Sequence, residues 1–425
     1  MRELIFYEFK KLIKSKLNIF LIILSIISTT FLFKVSISQM STADKNGDII
    51  RNGFTSNQVF LIEKNNYKSL PSYLNDKSAI DIIQSYQDLF SSKENTITDD
   101  EGNIKLKENI YNSKVIPFFH YLRLIDDVYK KPGKEDIYLN EIKKVDLEKE
   151  KSFSESINKK IDYVLNDLFK DSNRSSQTKK QYWLNKIGNR TNEYKIGYHS
   201  GWSNFLGTFE LLNLAIIFIC MTLTGVFARE SQLGTDNIIM TSKLGKKKLS
   251  KAKIISSIIF VSLVFVLNLL VVMCINFGAS GFDGWNLPIQ NMNLISPYNM
   301  NFLTATIITI ITGFVYLIGM STFILFLSEK LKKTSVVMSI VILIFLISMF
   351  MSISSWDGLW THIYLCMPYS IMLETFSESM LGYTLYSFFG VVINIVWMRI
   401  IVYAVLILLS IVMTIRTYKK HQCIN

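Results

Sequence analysis

Cysteine is scarce in this 425-residue chain: Cys220, Cys274, Cys366 and Cys423 are the only four, and none lies between Met40 and Ser203. That long stretch cannot be stapled by disulfides and has to be held by its own packing, which suits a bacterial surface better than a eukaryotic secretory route. Histidine is equally sparse, with His120, His199, His362 and His421 scattered along the chain, so no metal-ligand spacing is present. No Gly-x-x-x-x-Gly-Lys-(Ser/Thr) sequence occurs, which excludes nucleotide hydrolysis by the usual phosphate-cradling loop. Ser, His and Asp form no nucleophile motif either, so catalysis by this chain is not expected. Lys and Arg are missing altogether from 278–301 and 354–395, although the formal net charge is +12.

What the chain has instead is apolar length. Hydrophobic residues make up 49% of it, and they collect in runs near the roughly 20 residues that a helix needs to cross a bilayer. Six crossings are expected, at 17–39, 204–228, 254–277, 302–327, 336–353 and 400–415. The first is retained rather than cleaved, because its apolar run is longer than a signal peptide's and no small-x-small site follows. Basic residues mark the cytoplasmic ends: Arg2 to Lys16 before the first crossing, Arg229 to Lys253 after the second, Lys330 to Lys333 after the fourth, and the 416–425 tail. Both termini are therefore expected in the cytoplasm, with 40–203, 278–301 and 354–399 outside and the 328–335 loop inside. A nucleic-acid partner finds little support, since no single surface gathers the positive charge.

Residues 1–16 set Leu4, Ile5, Phe9, Leu12 and Ile13 on one helical face and Glu8, Lys11 and Lys14 on another, the pattern of a helix lying in the membrane surface among anionic lipid headgroups. The 40–203 block is polar, with helical periodicity in patches such as Ile80, Ile83 and Tyr86, or Ile157, Ile161 and Leu165. It is expected to be a mostly helical outer domain, with a turn at Asp99 to Asn103 that leaves room for a small hairpin. In 354–399, Pro368, Glu374, Glu378, Gly382 and Gly390 break an apolar stretch into what should be short helices dipping into the membrane and turning back. The expected fold class is thus an all-α polytopic membrane protein. Glu210 and Lys34, at outer ends of crossings, and Arg399, just before the sixth, are charges at membrane depth; Glu374 and Glu378 share a helical face and read as a solvated pair rather than a metal site.

The densest basic segment, "RESQLGTDNIIMTSKLGKKKLSKAK" at 229–253, is first a topology signal. Within it Asp236 can cap a helix, Ile238, Ile239, Met240 and Leu244 supply an apolar face, and Gly245 can end the helix. A helix with one oily face in the cytosol needs a lipid surface or a partner to cover it. From Phe227, Ala228 and Glu230, through Gly234, Thr235, Asp236, Ile238, Ile239, Thr241 and Ser242, to Gly245, Lys246, Lys248 and Lys253, this segment resembles the coupling loop between the second and third crossings in permease subunits of type 2 ABC exporters. The amphipathic start, the six crossings and the dipping segment agree with that family, and "YLCMPYSIML" looks like its outer gate; the 40–203 block is larger than in its minimal members.

The resemblance implies that Glu230, Gly234, Thr235, Asp236, Ile238, Ile239, Met240, Gly245, Lys246 and Lys248 engage a cytosolic ABC ATPase subunit. It implies that Glu210, Pro368, Tyr369 and Glu374 serve an outer gate or translocation path, and that a second permease subunit, identical or related, completes the transporter. ATP and Mg would be bound by the ATPase, leaving no cofactor in this chain, and the cargo would be amphipathic or apolar: an antimicrobial peptide, a drug or a lipid-like molecule. The alternative is a membrane sensor whose outer domain binds a ligand and whose inner loops relay the signal.

Overall fold

The computed structural model describes residues 1–100, 102–131, 139–149, 152–170, 174–188, 193–241, 245–351, 359–368, 370–373, 377–388 and 390–420. Helix α1, Arg2–Lys14, runs into an extended Ser15 that turns the chain into α2, Lys16–Ser38. On α1 Leu12 is buried while Phe6 and Tyr7 are exposed, and Phe9 meets Phe260 edge-on with ring centroids 6.3 Å apart. The helix therefore lies against the apolar bundle by one narrow face and leaves an oily side outward.

The polar block is built of short pieces. Strands β1, Ser41–Ala43, and β2, Ile49–Arg51, pair antiparallel and lead to helices α3, Gln58–Tyr67, and, after strand β3 at Tyr73–Leu74, α4, Asp76–Ser91. Helix α4 is started by a reciprocal cap in which Asn75 Oδ1 accepts from Ser78 N–H and Ser78 Oγ accepts from Asn75 N–H, at 3.0 and 2.9 Å. Strands β4, Thr96–Thr98, and β5, Ile104–Leu106, form the hairpin for which the Asp99–Asn103 turn leaves room, followed by one helical turn α5, Glu108–Ile110. Helices α6, Phe119–Tyr129, α7, Phe153–Leu168, and α8, Arg174–Ile187, come next, and β6, Tyr194–Lys195, returns to pair with β3. Phe153, Ile157, Ile161 and Leu165 recur every fourth residue on α7 and are all buried, which is how a polar helix fills a core by one stripe. Two carboxylates pin the pieces together. Asp76 accepts from Ser152 and Ser154 hydroxyls at 2.8 and 2.7 Å, and fully buried Asp126 accepts from the N–H groups of Glu141 and Ile142, both at 2.9 Å. Burial pushes the Asp126 carboxyl up, against those N–H donors and Lys130.

This core is not closed by the block alone. Leu294, Tyr298, Tyr383 and Leu385, far downstream, belong to the same buried cluster; Trp183 Nε1 donates to Tyr383 O at 2.9 Å, and its ring meets Tyr298 and Tyr383 edge-on.

The apolar bundle resumes with α9, Ser200–Thr208, a 3-10 turn at Phe209–Leu211 and α10, Leu212–Met221. The expected second crossing reaches 228, whereas the helix stops at Met221: Ser328 Oγ donates to Thr224 O and accepts from the N–H groups of Phe227 and Ala228, holding 222–227 as a series of turns. Short helices α11, Ala228–Gln232, and α12, Thr235–Thr241, precede a π-helical turn at Gly245–Leu249 and the long α13, Ser250–Ser280. After a loop come α14, Phe302–Leu331, and α15, Thr334–Phe350. Helices α16, Leu359–Tyr364, and α17, Ser370–Leu373, lead to a turn at Ser377–Leu381, to strands β7, Leu385–Phe388, and β8, Val391–Asn394, and finally to α18, Ile395–Lys420.

Among the described residues five helical runs are long and apolar enough to cross a membrane: Lys16–Ser38, Ser200–Met221, Ser250–Ser280, Phe302–Leu331 and Ile395–Lys420. The fifth expected crossing, 336–353, corresponds to α15, whose 17 residues give about 26 Å at the α-helical rise, short of a full hydrocarbon thickness. The molecule is mostly helical, with four two-stranded ribbons among the described residues. One of them corrects the reading of 354–399: its second half is a β-hairpin, not a dipping helix. Gly390 takes φ 86 at the turn, and Val391, Val392 and Ile393 favour the pleated backbone that pairs with Leu385–Phe388. Arg399, expected just ahead of the last crossing, is inside α18 and fully buried, its Nε donating to Leu365 O at 3.0 Å and its Nη1 to Ser379 Oγ at 2.7 Å.

Helices α14 and α18 pack closely because Gly319 has no side chain: a Cβ there would fall 2.5 Å from Tyr403 Cδ1. Gly319→Leu is expected to cost about 1–3 kcal/mol by overpacking this contact. The thermal unfolding midpoint of the purified chain in detergent reads the effect, and an unchanged midpoint refutes tight α14–α18 packing.

Candidate functional site

One end of the bundle collects α1, the 222–227 turns, α11, α12, the start of α13, the α14–α15 junction and the end of α18. At its centre is a buried ammonium. Lys253 has none of its side chain exposed; its Nζ lies 2.5 Å from Glu230 Oε2, donates to Val226 O at 2.9 Å and sits 4.9 Å from the centre of the Phe227 ring. Glu230, 18% exposed, also reaches Lys11 Nζ at 3.3 Å through Oε1, and Lys11 bonds Glu8 at 2.6 Å. Four charges of alternating sign thus tie α1, α11 and α13 into one unit. Burial alone would lower the Lys11 ammonium, but the Glu8 and Glu230 carboxylates outweigh it and raise it. Glu329 of α14, 5% exposed, faces the same charges, and its Oε1 has no hydrogen-bond partner among the described residues.

The two short helices hang from this knot. Gly234 takes φ 68 between them, a left-handed conformation that glycine adopts without strain. Thr235 Oγ1 donates to Glu230 O at 3.2 Å, and Ser231 Oγ donates to Asp236 Oδ2 at 2.9 Å, so each helix is hydrogen-bonded to the other. Thr334 Oγ1 donates to Gln232 Oε1 at 2.9 Å, attaching α11 to the head of α15. The bracing leaves two large apolar side chains outward: Leu233 is 67% exposed and Ile238 75%. Ile239 is half-buried and faces a groove of about 1070 Å³ between α1 and this elbow, which Lys14, Lys16 and Arg229 also line.

Glu230, Gly234, Thr235, Asp236, Ile238 and Ile239 are thus brought together. Asp236 falls in the first turn of α12 rather than ahead of it; the described part of α12 runs to Thr241, and Ser242 and Leu244 lie outside the described residues. Gly245 is buried in the turn that enters α13, and Lys248 is exposed there. The side chains of Met240 and Lys246 lie outside the described residues. In the sequence Lys11 is a topology marker on the polar face of α1 and Lys253 closes the coupling-loop resemblance, but neither is marked as a partner of Glu230, and Glu8 and Ser328 carry no signal for this site. The charge of Lys253 so close to an apolar run is the signal the sequence offers.

At the opposite end, α17 packs against the 3-10 turn that carries half-buried Glu210. Pro368 is buried in the turn ahead of α17, while Tyr369 and Glu374 lie outside the described residues. Among the described residues no ion pair joins Glu210 to Lys34, and no group of His, Cys, Asp and Glu could hold a metal ion. No family model, curated protein or solved structure matches the chain.

The knot predicts an asymmetry. Glu230→Ala leaves a buried ammonium without its counter-charge and should cost about 3–5 kcal/mol, whereas the further change Lys253→Met should restore most of it. Unfolding midpoints of the two single variants and the double variant decide this; strictly additive losses refute the pairing.

Proposed function

We propose that this chain is the permease subunit of an ATP-driven ABC exporter in a bacterial cytoplasmic membrane. It moves an amphipathic or apolar molecule, such as an antimicrobial peptide, a drug or a lipid-like compound, and a separate cytosolic ATPase binds ATP and Mg and supplies the stroke. A second permease subunit completes the path.

The observation that carries this reading is the braced elbow at 228–241. Two helices joined through Gly234 present Leu233 and Ile238 to solvent at the basic end of the bundle, while Glu230 anchors them to buried Lys253 on α13. An exposed apolar pair on a charged surface fits a protein partner. A rigid mount turns a push on that pair into displacement of α13 rather than local bending. The arrangement of the ends supports the same orientation: α1, Lys330 to Lys333 and the end of α18 lie with the elbow, and the Cys-free polar block packs at the far end against 280–301. With α15 as a short fifth crossing and α18 as the sixth, both termini face the cytoplasm.

In this mechanism closure of the ATPase dimer drives α12 inward. The Glu230–Lys253 pair carries the movement to α13, Ser328 carries it to α14, and the far end of the bundle opens. Ile238→Asp puts a charge where burial is needed and is expected to abolish co-purification of a cytosolic ABC ATPase from the native membrane, while membrane insertion stays normal. Retention of the ATPase at unchanged affinity rules out the docking assignment.

A further inference from the structure

Two cavities meet at the junction of the polar block and the bundle. The larger, about 530 Å³, lies between α3, α6 and the start of α9; the smaller, about 250 Å³, is lined by Leu70, Ile116, Pro117, Phe118 and Phe119. Glu63, Tyr67 and His120 line both, so the two chambers share a wall of one carboxylate and two rings. Both are partly open to solvent.

Glu63 is held by a hydroxyl rather than by a cation. Its Oε2 accepts from Ser200 Oγ at 2.8 Å, and no Lys or Arg among the described residues lies within 4 Å of it. The adjacent Lys64 is turned to Asp283, at 2.6 Å, and the one guanidinium lining the larger chamber, Arg123, faces Asp127 at 3.9 Å. The imidazoles add no positive charge at neutral pH: burial holds His199 down to about 4, and burial and Arg123 lower His120. Burial also raises the Glu63 carboxyl, so an arriving cation would relieve an existing cost. Beside Glu63, the Tyr67 ring meets Tyr198 and His199 edge-on, with centroids 6.1 and 5.7 Å away, giving an aromatic wall suited to a cation.

We propose that these joined chambers bind an amphiphilic organic cation, with its ammonium on Glu63 beside Tyr67 and its apolar body among Pro117, Phe118 and Phe119. Because Glu63 belongs to α3 and its partner Ser200 begins α9, the occupant sits where the polar block grips the second crossing, and its charge competes for the bond joining them. That the occupant is transported cargo rests on the exporter reading; that it binds does not.

The test uses the full chain in lipid nanodiscs, with 4-phenylbutylamine and 4-phenylbutyrate as probes of equal body and opposite charge, and empty nanodiscs as the blank. Calorimetric titration at neutral pH is expected to give saturable amine binding with Kd on the order of 0.1–1 mM, as suits so small a ligand. The acid should bind at least about tenfold more weakly. Glu63→Gln, which keeps an acceptor for Ser200, should weaken amine binding about tenfold, and Tyr67→Leu about threefold, with unfolding midpoints unchanged. Equal binding of acid and amine, an amine signal no larger than that of empty nanodiscs, or full affinity in Glu63→Gln overturns the proposal. If Glu63→Gln fails to fold, the amine-to-acid contrast on the unaltered chain and Tyr67→Leu decide it. Co-purification with the ATPase is untouched by these outcomes, so failure here and failure of the exporter reading are told apart.

Discussion

A fully buried ammonium is the constraint around which one end of the molecule is organised. Lys253 sits at the edge of an apolar helix, where burying its charge is costly unless a counter-charge meets it. Glu230 meets that need, and in doing so it fixes α11 against α13, draws Lys11 and hence α1 into the same unit, and leaves the elbow's apolar side chains no route inward. An exposed salt bridge with the same geometry would contribute little. Here the absence of water makes the pairing obligatory, so the position of three helices follows from one side chain.

Elsewhere in the bundle, neutral amides do similar work at lower stakes. Asn268 of α13 donates to Ser25 Oγ of α2 and accepts from Thr29; Asn276 donates to Gly201 O and accepts from Asn204. Among apolar surroundings nothing competes for these donors, and they set helix register where leucine and isoleucine contacts would slide. The polar stripe along α13, from Ser250 through Lys253 to Asn268 and Asn276, makes this helix the one to which α1, α2, α9 and α11 are referred.

How much of this could be read from the chain depended on range. The spans were legible because length and hydropathy are local properties. The β4–β5 turn was anticipated because Asp99, Gly102 and Asn103 are local turn chemistry, and the stripe of α7 because its period is. The hairpin at 385–394 is not legible in the sequence: an aromatic, β-branched run without polar alternation reads equally as a membrane-dipping helix, and Gly390 reads as a breaker rather than as the turn itself. The knot was only half legible. Glu230, Gly234, Asp236 and Ile238 stood out as a segment, but Glu230 and Lys11 are separated by 219 residues, and no periodicity announces a contact of that kind. The early end of α10 was hidden for the same reason, since the Ser328 hydroxyl that closes its turns comes about a hundred residues later.

The aromatic seal between Trp183 and Tyr383 bears on how such a chain matures. The polar block is made early, yet its interior is finished only by residues roughly two hundred positions further along. During synthesis it must wait, incompletely covered, until the last third of the polypeptide is in place, so completion of the polar block reports that the whole bundle has assembled.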